Sequence, residues 1–248
     1  MTKYAAFGAQ LNIGIRQVET ATVVGAITTS GNATVIVTAT GMTGTPITTS
    51  VAVLNGDTAD MVAEKIRTAL NAVANITAKF AVGGSGAQVT LTRLIAAANI
   101  VNLNIDIDNG TCAGLTTAHT SADTIAGVAS ATIAAIQSIG GPGLSLDTED
   151  VTTHDSPAAF EEVVATILRS GELSLDIVYD PNGTSHNATA GLIDYHENKT
   201  LVYCDLVFLG TYHWYFPAFV TGFEPDQPHD GALTAAVTLK INGAPILV

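Results

Sequence analysis

The residues able to do chemistry are few, and each has a plainer reading beside it. Gly83-Gly84-Ser85-Gly86 has the glycine density of a phosphate cradle or a nucleophile elbow. An elbow needs the spacing G-x-S-x-G, with a strand behind it and a helix ahead. Here strand-like sequence lies on both sides, so a hairpin turn is the stronger reading. Asp106-Ile-Asp108-Asn-Gly110 approaches a calcium loop, but its glycine comes one place early and no Glu follows at the required distance. That leaves an Asn-Gly turn. His154-Asp155 and His229-Asp230 set a base beside an acid in sequence, which does not make them partners in space. A hydrolase built on His154, Asp155 and Asp150 is a competing reading, and it needs a pocket. His213, Trp214, Tyr215, Phe216 and Phe219 form an aromatic strand suited to core or interface packing, with a sugar-stacking platform as the alternative. Cys112 and Cys204 fit neither a C-x-x-C pair nor a metal spacing, and read as reduced, half-buried thiols. Sequons at Asn32, Asn75, Asn109, Asn182, Asn187 and Asn198 are chance matches in a Thr-rich chain. No catalytic, cofactor or metal site is expected.

Composition narrows the function classes. The chain has 248 residues, of which 47% are hydrophobic and 12% charged, with 9 Lys+Arg against 22 Asp+Glu and a net charge of −13. An acidic surface argues against gripping nucleic acid, where counterion release needs bases. It also argues against docking on anionic lipid. Mean hydropathy is +0.37, yet no uncharged apolar run reaches the ~18 residues of a membrane helix. The first residues lack the basic-then-apolar layout of a signal peptide, so export is not expected.

The elements that must position these residues fall into two composition regimes. From Gln17 to Val128 the chain is Ala, Thr, Val, Ile, Asn and Gly with Phe80 as its sole aromatic, and it carries a net charge of −3. The rest holds every other aromatic, five of the six histidines and a net −10. So sharp a break on both sides predicts an inserted domain at 17–128 within a discontinuous host domain of 1–16 and 129–248. In the insert, alternation over 34–39, 89–92 and 101–108 predicts half-buried strands. One helix is expected after Asp57 as N-cap, with Val62, Ile66, Leu70 and Val73 on one stripe. In the host, Ser156-Pro157 reads as an N-cap with Pro at the first helical position. Phe160, Val163, Val164, Ile167 and Leu168 then give a helical stripe closed by Arg169 and Gly171. Leu173, Leu175, Ile177 and Tyr179 alternate as a strand, a second helix runs from about 184 to 197, and strands follow at 201–208, 212–220 and 232–241. The fold class is therefore mainly β with short helices: a β-sandwich or barrel host domain with a flanking helix, plus an inserted small α+β domain rich in strands.

The run from Ile139 through Asp147-Thr-Glu-Asp-Val-Thr-Thr-His154-Asp155-Ser-Pro resembles the signature of the major tail tube proteins of long-tailed phages. The likeness continues at Ser170-Gly-Glu-Leu-Ser-Leu, Tyr179-Asp-Pro-Asn182, Tyr215-Phe-Pro-Ala-Phe-Val-Thr-Gly-Phe-Glu-Pro225 and Ala232 to Pro245, while Phe7-Gly-Ala-Gln-Leu fits the family's first strand. It breaks at 17–128, which is similar to a small β-rich module of phage virion proteins. The resemblance implies a non-enzymatic virion protein without cofactors, present in the host cytoplasm before assembly. Six copies would form a ring, and rings would stack into a tube that contacts a tape-measure protein and the tail terminator and tip proteins. DNA would pass through the lumen without specific binding, and no membrane is engaged. Asp147, Glu149, Asp150, Glu172 and Asp176 are candidate lumen-lining acids, against the competing view of solvated outer-face charges. The insert, with a radius of gyration near ~13 Å, is expected on the tube exterior. A β-rich adhesin or carbohydrate-binding protein is the alternative function.

Overall fold

In a computed structural model of the chain, residues 8–118, 120–156, 160–208 and 210–247 are described. They form two compact units, Met1–Ile13 with Ala131–Val248, and Gly14–Ser130. The chain enters the second unit along β1 (Gln10–Ile15) and returns along β11 (Val128–Thr132). Phe7 and Pro157, both used in the sequence reading, lie outside the described residues.

Between them run β2 (Val18–Thr22), β3 (Val24–Thr29), β4 (Gly31–Thr38), β5 (Ile47–Val53), α1 (Ala59–Asn71), α2 (Ala74–Thr77), β6 (Phe80–Gly83), β7 (Gln88–Arg93), β8 (Asn104–Asp108), β9 (Ala113–Thr116) and β10 (Ala122–Ile125). They make a four-stranded sheet β10-β2-β7-β6, a three-stranded sheet β5-β4-β8 and a pair β3-β9. Helix α1 buries Val62, Ala63, Ile66 and Leu70 among Val35, Val37, Val89, Leu91 and Phe80. Its N-cap is Thr58, whose hydroxyl accepts the Met61 N–H, and not Asp57. Asp57 instead closes the preceding turn, accepting from Leu54 N at 2.7 Å and Lys65 Nζ at 2.5 Å. Strand β8 starts three residues later than the alternation suggests. Val101 stands 98% exposed in a turn, because the step Leu103 N to Ile100 O bends the chain there.

The other unit continues with β12 (Ile136–Gly140), β13 (Ser145–Asp150), β14 (Val163–Arg169), β15 (Glu172–Val178), α3 (Leu192–Glu197), β16 (Val202–Phe208), β17 (Tyr212–Asp226), β18 (Thr234–Ile241) and β19 (Ile246–Leu247). Its main sheet has the order β11-β1-β16-β17-β18-β15-β12, with β19 added on β17. The edge strands β11 and β12 are joined by residues 133–135 alone, a reach of at most about 15 Å. Laid flat, seven strands would hold their edges roughly 29 Å apart. The sheet therefore has to curl towards itself. Its inner face is lined by Leu173, Leu175 and Ile177 of β15 beside Leu239, Val237 and Ala235 of β18, with Phe216, Ala218 and Val220 of β17 beyond.

The helix expected after Ser156 is not formed; Val163–Arg169 is a strand paired with β13. Val163, Val164, Thr166 and Ile167 are β-branched, which restricts χ1 in a helix and suits a pleated surface. Ser156 caps no helix either. Its hydroxyl accepts the Thr153 N–H at 2.9 Å and donates to Glu162 Oε2 at 2.8 Å, closing a turn. The helix expected over 184–197 is confined to Leu192–Glu197, because the residues before it wrap the buried His186 in turns. Strand β17 outruns its expected end at 220, continuing past an irregularity between Val220 and Gly222.

Candidate assembly surface

Strands β13 and β14 form a sheet of their own, an arm between β12 and β15. Gly171, at φ +63°, makes the turn from β14 into β15 with its Cα so close to Gly143 that a Cβ would meet the Gly143 carbonyl oxygen at 2.1 Å. All seven residues of β14 are exposed, as are all of β13 except the half-buried Asp147. The apolar ones stand in water: Leu168 is 81% exposed and Phe160 74%, and Leu144, Leu146, Val163, Val164 and Ile167 are all at least half exposed. A lone two-stranded sheet offers two faces and no third layer, and such a pair is marginal in water.

The acids of the arm's strands sit on β13 and their one base, Arg169, on β14. Arg169 Nε and a terminal nitrogen both reach Asp147 Oδ2 at 2.6 Å. This contact holds the Asp147 carboxyl below the usual carboxylate range and raises the guanidinium. The Thr152 hydroxyl and backbone N–H, the latter at 2.8 Å, likewise hold Asp150 down. Glu149 is exposed on the same strand. The other two candidate acids stand elsewhere, on the outward face of β15. Glu172 lies opposite Lys240, 3.5 Å away, and Asp176 accepts from the Ser138 hydroxyl at 2.5 Å. The structure thus brings Glu172 and Asp176 onto one sheet face and keeps Asp147, Glu149 and Asp150 on the arm. Beside Asp176 a cleft of about 450 Å³ is also lined by Glu224 and Asp226. The sequence reading missed both, although Glu224 lies across β18 from Asp176 through their common neighbour Ala236.

The aromatic strand divides by the strand period. Phe216 is buried, whereas His213 and Tyr215 face outward with their rings stacked at 5.5 Å. His213 Nδ1 lies 2.8 Å from Asp205 Oδ1, and Asn12 links Asp205 to Thr132. His154 and Asp155 are in an exposed turn, and the His229–Asp230 contact is at least 94% exposed on both sides. Asp106 and Asp108 are not gathered around an ion: Asp108 accepts the Asn109 N–H, and Asn109 is bonded to Leu115. Among the described residues, no three His, Cys, Asp or Glu side chains are placed to hold a metal. Gly83–Gly86 closes the β6–β7 turn through Gln88 N to Ser85 O. Cys112 and Cys204 are free and buried, and burial pushes both thiols up. His186 carried no sequence signal. It is buried, accepting Asp180 N–H at Nδ1 (3.3 Å) with Nε2 at 3.0 Å from Ala134 O.

No protein-family model matches the chain, and no curated protein matches it. Among solved structures, a chain in the virion of a native gene transfer agent particle is 14% identical with a TM-score of 0.41, the match covering 48% of this chain and 88% of that one. A chain in the six-fold symmetrised baseplate of the anti-feeding prophage is 12% identical with a TM-score of 0.39, covering 48% and 83%. A chain in the extended sheath–tube complex of an extracellular contractile injection system is 18% identical with a TM-score of 0.33, covering 46% and 80%. Likenesses this distant leave the functional reading to the chain's own residues.

Proposed function

We propose that the chain is a structural, self-assembling subunit of a phage-type tail tube, joining in six-membered rings that stack around a lumen passing DNA. The observation that carries this reading is the arm. The Asp147-to-Asp155 block of the tail-tube resemblance starts in β13, and the apolar residues of the arm stand exposed among the described residues of one copy. A second support is the main sheet, whose edges β11 and β12 carry mostly exposed residues. Free strand edges are stabilised by pairing with another chain, and a head-to-tail contact that closes by rotation makes a ring. With a net charge of −13, such a ring repels phosphate and lets a duplex slide. In this reading Glu172, Asp176, Glu149 and Asp150 supply negative lining. Asp147 adds least because Arg169 closes it. The tape-measure, terminator and tip proteins are the partners in the same scheme, and residues 17–128 project from the outer wall.

Negative-stain microscopy of the purified chain at high concentration and moderate salt tests the reading. Rings or tubes are expected, and a uniform monomer under all conditions overturns it. Replacing 17–128 by a short Gly/Ser turn is expected to leave tubes of smaller outer diameter. Loss of assembly by a folded deletion variant would place the insert in the wall instead.

A further inference from the structure

We propose, on the basis of the assembly reading above, that strand β14 of one copy lies along the free edge of β19 in a second copy, over the strip made by Tyr215 and Ile246. Two exposed apolar strands in the same unit fit each other. Among the described residues β14 pairs with β13 alone and β19 with β17 alone, so each has one unpaired backbone edge. Tyr215 and Ile246 are cross-strand partners on one face, 40% and 63% exposed, with Leu247 next to them at 56%. The fold of a single copy leaves both this strip and Leu168 in water.

Charge selects β14 rather than β13 for this edge. Strand β13 carries Asp147, Glu149 and Asp150, and charges on an edge strand oppose pairing. Strand β14 reads Val-Val-Ala-Thr-Ile-Leu-Arg, and its single charge is closed by Asp147 at 2.6 Å. Strand β19 is Ile-Leu, and the acid nearest the strip in register, Asp205, is paired with His213 at 2.8 Å. Neither edge presents an uncompensated charge to the other. Strand addition of this kind takes its affinity from backbone hydrogen bonds and its register from alternate side chains. The donor and acceptor surfaces are different patches of one chain, so the contact is heterologous and propagates.

Paired cysteines read the contact directly, because the natural Cys112 and Cys204 are buried. Variants carrying Ile246→Cys with either Ile167→Cys or Leu168→Cys are assembled, oxidised with diamide and run on non-reducing gels, with circular dichroism confirming the fold. One of the two pairs is expected to give a ladder of covalent multimers. Mixing single-cysteine copies of the two kinds should stop the ladder at dimers. Cross-linking confined to single chains, or assemblies with no cross-link from either pair, overturns this contact while leaving the assembly reading standing. A wild-type chain that forms no assemblies overturns both.

Discussion

Helix α1 and strand β14 both carry apolar residues at helical spacing and end in opposite situations. Val62, Ile66 and Leu70 are fully buried on α1, whereas Val163, Val164, Ile167 and Leu168 stand on a strand with all seven residues exposed. Eight of the thirteen residues of α1 are Ala, Met, Glu, Lys, Arg or Leu, all strong helix formers. It also has sheets to cover within its own unit. Strand β14 is mostly β-branched and, among the described residues, pairs with β13 alone. A helical period in the sequence thus records a surface that needs covering, while the residue types decide the secondary structure. Whether the cover lies in the same copy is a separate matter.

The largest effect that tests this contrast is a matched truncation. Ile66→Ala should cost about 2–5 kcal/mol, as for other buried aliphatic residues, read by urea denaturation. Leu168→Ala should stay within about 0.5 kcal/mol in the monomer, as exposed substitutions do, and still weaken assembly. Equal losses in the monomer would mean that the arm is packed after all. Next, His186→Ala removes a buried ring and its contacts with the Asp180 N–H and the Ala134 carbonyl, a loss of about 0.5–3 kcal/mol, as for most destabilising single substitutions. This loss should appear in the same denaturation curve, in the unit that carries the arm.

The insert also predicts two opposite pH effects. Asp57 is held low, by the Leu54 N–H first and Lys65 second. Its contribution is present above the unfolded carboxyl value near ~3.9 and is lost as the pH falls through the lower folded value. Glu19 is held high by burial, against a hydrogen bond from Ser121. Its ionisation therefore subtracts stability as the pH rises above the unfolded value near ~4.3. Glu19→Gln should remove that decline, and thermal melts between pH 4 and 7 check it. A parallel decline in wild type and variant would contradict the assignment. The smallest effect is expected at the exposed Asp147–Arg169 pair, where Arg169→Ala should leave the monomer melting temperature unchanged, as for most surface ion pairs.

Much of the strand framework was legible because period 2 is a local signal. The alternation at Leu173, Leu175 and Ile177 lies on the inner face of β15 as read. The insert's single long helix was legible from its 3.6-residue period, an equally local signal, though its cap moved one residue, from Asp57 to Thr58. Strand β14 was misread because the apolar residues Phe160, Val163, Val164, Ile167 and Leu168 happen to recur at i, i+3, i+4, i+7 and i+8. The grouping of the acids was legible only in part: Glu172 and Asp176 share a face by period, but Glu224 joins Asp176 only through strand order. His186 was invisible because the partner of its Nε2, the Ala134 carbonyl, lies 52 residues back along the chain.

Sedimentation velocity of the wild type beside Leu168→Asp tests the central claim most directly, since the charge falls on the most exposed apolar residue of the arm. The account predicts large assemblies for the wild type at high concentration and a folded, non-assembling variant with an unchanged melting temperature. Wild-type-like assembly by Leu168→Asp would contradict it.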